Sequence, residues 1–433
     1  MNFPFFIAKR FFRSIGKDKK SASNPTITIA TAGVAVGLAV MIITVCVISG
    51  FKREVTQKVN GFASDIEVLD YRSLSSPEGF PIMADSAFIA GVKKWPAVKR
   101  VDKVAQKMGI LKTNNDFQGV TIKGIDRGYD TTFVASAMTA GRLPRLDSTP
   151  DPDSGIVGSN EIAISSRLAR DLGLKVGDRV FAYFFEENIK MRRFKVCGIY
   201  STNMNIFDKA FVIGDYATVA DLNGWEPDQC SSLEVRLDGT VEAATRFFAD
   251  NEQLDRTVAV ASEYCAKNPD ATGAPRRPLS VREHYMQVFS WLDLLDFNMI
   301  VILILMICVA GFTMISGLLI LILERTQTIG VLKALGATNA KVRSIFLHFS
   351  ALITLRGLLI GDAIALALLF AQQHWGFIHL DPTSYYVDTV PVEVAWLPIV
   401  LLNVITLALT TLALVGPSFM ISRIQPAKAI RYE

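Results

Sequence analysis

Long uncharged stretches dominate the pattern of this chain. Ser21 to Phe51 holds no charged residue, and its apolar core runs from about Ile27 to Ile48. Phe297 to Leu323 is 27 residues without a charge, and Val394 to Ser422 is 29. A fourth stretch, Ser344 to about Phe370, is apolar apart from Arg356 and Asp362. A helix rising 1.5 Å per residue needs roughly 20 apolar residues to cross about 30 Å of hydrocarbon. The pattern predicts four transmembrane helices. A cleaved signal does not fit the first, since its apolar run exceeds the roughly 7–15 residues of such signals and no small-x-small site follows.

Between the first two stretches the pattern changes. Alternation predicts strands at Asp65–Asp70, Val120–Gly124, Arg179–Phe184, Phe194–Ile199 and Leu233–Leu237. Helical spacing appears in Ser86–Trp95, Ser165–Leu172, Val241–Asn251 and Val281–Leu295. Gly173 is placed to end a helix, and Gly177-Asp178 to turn into a strand. Arg142–Gly155 and Pro269–Pro278 read as exposed loops. The expected fold class is an integral membrane protein of four transmembrane α-helices with a large mixed α/β domain between the first and second.

Composition agrees with a segregated chain: 433 residues, 50% hydrophobic, 20% charged, net charge +4. That excludes a disordered polyelectrolyte, and 86 charged side chains exclude a wholly lipid-buried bundle. It gives no argument for nucleic acid. The distribution of charge is more telling. The segments before the first span, between the second and third, and after the fourth carry 13 basic and 3 acidic residues. Residues 52–296 carry 31 basic and 34 acidic, and the short loop before the fourth span has Asp381, Asp388 and Glu393 with no Lys or Arg. Basic loops stay cytoplasmic. The expected layout is a cytoplasmic arm (1–24), spans at 25–51, 297–323, 344–371 and 394–422, an outer domain (52–296), an inner loop (324–343), a short outer loop (372–393) and a cytoplasmic tail (423–433). In the arm, Phe3, Phe5, Phe6, Ile7, Phe11 and Phe12 alternate with Lys9, Arg10 and Arg13, a basic amphipathic stretch suited to the headgroup layer.

Candidate chemistry is sparse. No G-x-x-x-x-G-K-[ST], H-E-x-x-H, G-x-S-x-G or C-x-x-C occurs. His284, His348, His374 and His379 are scattered, so neither a metal site nor a hydrolase is expected. Cys197, Cys230 and Cys265 lie in the outer domain; an odd number at wide spacing implies no disulfide framework, and a single pair among them is left open. Arg356 and Asp362 are costly in a span, and about 120° apart around the helix they are poorly placed for a pair within it. They are candidates for ion movement or for structural pairing. Gly33-x-x-x-Gly37 and Gly357-x-x-x-Gly361 permit close helix approach.

The inner loop reads as a short helix from Thr326, stopped at Gly336, with a new start at Thr338-Asn339. Ile329, Leu332, Lys333 and Leu335, with Gly330, Gly336 and Ala337, make a small partly apolar knob that a cytoplasmic partner could seat.

With these residues in view, the chain resembles the lipoprotein-releasing permeases of the Lol system, within the MacB/FtsX-like ABC permeases. The likeness rests on Val47-Ile-Ser-Gly-Phe-Lys-Arg-Glu-Val55, Glu324-Arg-Thr-Gln-Thr-Ile-Gly-Val-Leu-Lys-Ala-Leu-Gly-Ala337, Leu380-Asp-Pro-Thr-Ser-Tyr-Tyr-Val387 and the tail Gln425–Glu433. It implies a permease in the bacterial inner membrane without its own ATPase motif, paired with an identical or homologous second permease and a separate ABC ATPase that holds ATP and Mg. No cofactor is expected on this chain. It implies lipoprotein substrates entering from the outer leaflet and passing to a periplasmic carrier. By position, Ile48 and Phe51 would line the acyl-chain path, with Phe297, Ile300 and Ile304 opposite. Only about 25 residues precede the first span, so the fused N-terminal ATPase of the macrolide-exporting relatives is not expected. The alternatives are an FtsX-like regulator of a cell-wall hydrolase and a MacB-like efflux permease. One departure is plain: carrier-recruiting members have a long hooked hairpin, whereas here Phe184 to Arg193 makes a short one.

Overall fold

The structure is a computed structural model that describes residues 3–14, 23–74, 79–114, 116–146, 158–185, 189–226, 228–239, 252–270 and 275–423. It divides into a membrane unit (Met1–Phe51, Leu292–Ile378, Val390–Glu433) and an outer unit (Lys52–Trp291, His379–Thr389). The predicted helix at Val241–Asn251 and the tail from Gln425 lie outside the described residues.

Among the described residues, four helices are long and apolar enough to cross a membrane: Ile27–Phe62, Met286–Glu324, Asn339–Trp375 and Trp396–Ser422. The first helix starts at Ser23 and continues past Phe51 to Phe62. The charges at Lys52, Arg53 and Glu54 end the apolar run without ending the helix, because Val55, Val59 and Phe62 keep an i, i+4, i+7 stripe that is buried. The helix expected from Val281 is in fact two, Val281–His284 and then Met286–Glu324, the latter continuing as the second span.

Both small-residue motifs lie at helix contacts in the membrane unit. A Cβ on Gly33 would stand 2.6 Å from the Thr313 methyl, and Gly37 faces the Met306 carbonyl and Ala310. On the other side, Gly357 and Gly361 approach the Thr31 and Ala35 carbonyls, where a Cβ would come to 3.0 and 2.6 Å. The first span thus packs against the second and third through missing side chains, the contact that dispersion between helices in lipid requires. The amphipathic arm forms the helix Phe3–Ser14, which packs on Asn339–Trp375. Its Phe5 ring meets His348 edge-on at 6.0 Å, and Ala8 is fully buried.

The outer unit is built on a ten-stranded mixed sheet in the order β12-β1-β11-β3-β4-β9-β6-β8-β5, with β7 pairing β3 and β8. These strands are β1 (Ile66–Asp70), β3 (Val98–Lys112), β4 (Phe117–Ile125), β5 (Met138–Gly141), β6 (Glu161–Ser165), β7 (Arg179–Phe185), β8 (Ile189–Tyr200), β9 (Phe211–Asp215), β11 (Ser232–Leu237) and β12 (Arg276–Ser280). β2 (Ile82–Met83) and β10 (Gln229–Cys230) pair separately. Because β7 bridges β3 and β8, the path β3-β4-β9-β6-β8-β7 closes on itself as a six-stranded barrel. Alternate residues point inward: Leu111, Ile122, Ile164, Phe184, Phe194 and Val212 share one core. Each such side chain contributes about 1.5–3 kcal/mol on burial. Gly109 sits at the closure, where a Cβ would collide with the Phe184 ring at 2.8 Å.

The local punctuation follows the sequence. Ser165 caps Ser166–Leu172, accepting from the Leu168 amide, and Gly173 ends it with φ +65°. Gly177, at φ +99°, turns the chain into β7. Cys197, Cys230 and Cys265 are buried and free, each thiol's pKa pushed up by burial.

Candidate functional site

The inner segment has the form the sequence predicts. Thr326–Ala334 is a helix, Gly336 turns with φ +91°, and the Thr338 hydroxyl accepts from the Lys341 amide to cap the third long helix. Nothing lies within 4 Å of a Cβ added at Gly336, so a side chain there is strained by the backbone alone.

The segment's two faces differ. Ile329 and Gly330 are buried in the membrane unit. Leu332 and Ala337 are half-buried, while Val331 is 48% and Leu335 80% exposed. Lys333 turns inward, and its ammonium donates to the Ile421 carbonyl at 2.6 Å. Burial lowers its pKa. Next to it, the Arg343 guanidinium lies 3.8 Å over the Phe419 ring and its Nε donates to Ser418 Oγ at 3.3 Å. The knob is therefore fastened to the inner end of the last helix and presents Val331, Ala334 and Leu335 outward. The sequence reading grouped Ile329 and Lys333 with the outward residues; the structure separates them. The roles of Arg343, Ser418, Phe419 and Ile421 were missed, because nothing in sequence spacing joins residue 333 to residue 421.

The residues expected along the substrate path divide similarly. Ile48 and Phe51 are half-buried near the outer end of the first span. There Gly50 stands so close to the Pro391 carbonyl that a Cβ would reach 2.6 Å, and the Glu393 amide donates to the Cys46 carbonyl at 3.1 Å. Met299, Leu303, Ala310 and Met314 form the buried stripe of the second helix. Phe297 and Ile304 are exposed at 63% and 59%, and Ile300 is half-buried. They share that exposed surface with Leu305 and Phe312.

Asp362 is half-buried and accepts from Asn403 Nδ2 of the fourth helix at 2.9 Å. Arg356 is exposed, and among the described residues no ion pair joins it to Asp362. Asn403 could have been flagged: a lone amide in an uncharged span needs a partner. Among the described residues no group of three or more His, Cys, Asp or Glu could hold a metal ion.

Comparison with known proteins fits this architecture. The MacB-like periplasmic core domain family matches residues 27–247, and the FtsX-like permease C-terminal family matches residues 300–426. The lipoprotein-releasing system transmembrane protein LolE of Haemophilus influenzae is 22% identical, covering 99% of both chains. LolC of Neisseria meningitidis serogroup B is 24% identical, covering 94% of both. The periplasmic region of MacB from Actinobacillus actinomycetemcomitans covers 53% of this chain and 95% of its own at 10% identity and TM-score 0.32, too loose a likeness to carry argument. With four spans, a mixed α/β domain inserted after the first, and family matches over both halves, the chain belongs to the MacB/FtsX-like permeases, as a multi-pass ABC-type transmembrane permease with a periplasmic core domain.

Proposed function

We propose that this chain is one permease subunit of an ABC transporter that draws lipoproteins from the outer leaflet of the inner membrane and passes them to a periplasmic carrier. The energy comes from ATP hydrolysed, with Mg, on a separate subunit. What carries the reading is likeness along the whole chain, 99% of both, to a protein named for lipoprotein release.

The geometry supplies parts such a machine needs. The surface of Val331, Ala334 and Leu335 is an apolar contact for the ATPase, and Lys333 ties that contact to the last helix. Both termini lie in the cytoplasm by the charge asymmetry. Phe297, Ile300 and Ile304, with Ile48 and Phe51, form the apolar walls for acyl chains, where a second permease subunit completes the path. In this reading Asp362 serves helix pairing through Asn403 rather than ion movement.

The test is lipoprotein release from nanodiscs holding this chain with the ATPase and second permease that co-purify with it. ATP-dependent release is the expected result. ATP hydrolysis without release sinks the substrate assignment, and binding of a peptidoglycan hydrolase in its place would favour a regulatory role.

A further inference from the structure

The last carbonyls of a helix lack partners within it and carry partial negative charge. At the end of the first long helix these carbonyls are met by a buried lysine and a half-buried arginine from distant strands. The Lys123 ammonium on β4 donates to the Phe62 carbonyl at 2.7 Å, and the Arg236 guanidinium on β11 donates to the Gly61 carbonyl at 3.2 Å. No glycine follows to make a local cap; the chain reads Phe62-Ala63-Ser64.

Lys123 is held on its other sides as well. Its ammonium stands 2.6 Å from Glu234 Oε1 and 3.1 Å from the Tyr129 hydroxyl, which itself donates to Glu234 Oε2 at 2.7 Å. The Lys123 and Glu234 side chains are 5% and 4% exposed. An ammonium has three protons, and here each has an acceptor. Burying such a pair wins little stability over well-packed apolar residues, so stability alone does not account for it.

The second long helix begins against the same group. Glu234 lies directly across the ladder from Glu67 on β1, the strand that follows the first helix. Glu67 Oε2 is 3.0 Å from His284 Nδ1, in the turn before Met286–Glu324. β12, which leads into that turn, pairs with β1 along its length. A cavity of about 40 Å³ sits among Phe62, Glu67, Lys123, Glu234 and His284. One connected group of side chains, buried at Lys123 and Glu234, thus meets the outer ends of both helices.

We propose that Lys123 is a positioning residue that couples the end of the first long helix to the barrel. Displacement of the helix then reaches the sheet through Phe62, Lys123 and Glu234, not only through the short link to β1. This rests on the reading that ATP drives movement of the outer domain.

The test uses the full complex in nanodiscs. A Lys123→Met/Tyr129→Phe/Glu234→Met chain replaces the pair and the hydroxyl bonded to both with apolar groups of similar size, an exchange that is often neutral or stabilising. We expect its melting temperature to hold while release per ATP hydrolysed falls about tenfold, the scale of a typical coupling between sites. Retained stability with retained release overturns the proposal. Hydrogen exchange on the unaltered complex, without nucleotide and with ATP and vanadate, tests the same point without any variant. Amides of 59–63 and 120–125 should change protection together. Change at the helix end with β4 constant overturns the coupling alone, whereas no change anywhere in 52–291 overturns the ATP-driven reading with it.

Discussion

The ammonium of Lys333 stands 2.6 Å from the carbonyl oxygen of Ile421, joining the inner helix to the end of the last one. A lysine at this position in a partner-facing knob would be expected to contact the partner. Here it is spent inside the chain.

Replacing Lys333 with Met should therefore loosen the knob rather than strip a contact from its surface. A hydrogen bond from a charged donor contributes about 1.5 kcal/mol at the low end of its range, which suits a half-exposed group. The expected outcome is a small fall in melting temperature, retained co-purification of the ATPase, and release that drops more than ATP hydrolysis does. Loss of the ATPase at equal stability would return Lys333 to the contact surface.

Leu335 gives the opposite expectation. At 80% exposed it supports nothing inside the chain, so Leu335→Asp should alter stability by no more than about 0.5 kcal/mol. It should nevertheless weaken ATPase binding, because a carboxylate cannot be seated in an apolar groove without losing its hydration. Paired thermal melts and pull-downs from the same preparation decide it. Undiminished ATPase binding would remove Leu335 from the interface.

What was legible in the sequence was what is decided locally. Gly173, Gly177, Gly336 and Thr338 act within a few residues of themselves, and each sits where its cap or turn was expected. The two glycine motifs were equally readable. β3 was not, because charges fall on both of its faces, Lys99, Lys103 and Lys107 on one and Arg100 and Asp102 on the other, and mask its alternation. Nor could Lys123 be seen as buried: it stays charged inside only because Glu234 and Tyr129 arrive from elsewhere in the chain. Burial works against the ammonium, but those partners more than offset it and raise its pKa. Lys333 went unread for the same reason, since its acceptor belongs to another helix.

Packing in the membrane unit yields a contrast between two glycines. A Cβ at Gly37 would meet its nearest atom at 3.7 Å, ordinary contact, so Gly37→Ala should be tolerated. A Cβ at Gly361 would stand 2.6 Å from the Ala35 carbonyl, which is backbone and cannot rotate away. Gly361→Ala should push the first and third helices apart at a cost of about 1–3 kcal/mol. Melting of both chains in detergent compares them directly, and equal melting temperatures would contradict this account of the contact.

Asp362 offers a test of structure against ion movement. Hydrogen bonds between helices in membranes average about 0.6 kcal/mol, and an amide can replace a carboxylate as acceptor. Asp362→Asn should therefore fold and release substrate as the parent does, with Asn403 still paired. A well-folded Asp362→Asn chain without transport would show that the proton-binding carboxylate itself is needed.

The outer domain should carry a pH dependence centred on His284. Its hydrogen bond to Glu67 raises the imidazole pKa, against burial, which lowers it. Burial is the largest influence on the Glu67 carboxyl and would raise it, but the bond and charge of His284, with Ser232 and Lys123, together outweigh it and hold that carboxyl below its usual range. The imidazole is faced by Glu67 from β1, Glu234 from β11 and Lys123 from β4, and it stacks on Tyr285 at 4.7 Å. A raised folded pKa means that the contribution is complete below the unfolded value of about 6.5 and is lost as pH rises through the folded value. Stability of the outer domain should fall as pH is taken upward from there, by a modest amount because the ring is partly exposed. In His284→Gln the amide can still hydrogen-bond Glu67 but cannot titrate, so the slope over that window should flatten. Thermal melts of the full chain at a series of pH values above 6 compare the two. An identical slope in both chains would place the titrating group elsewhere.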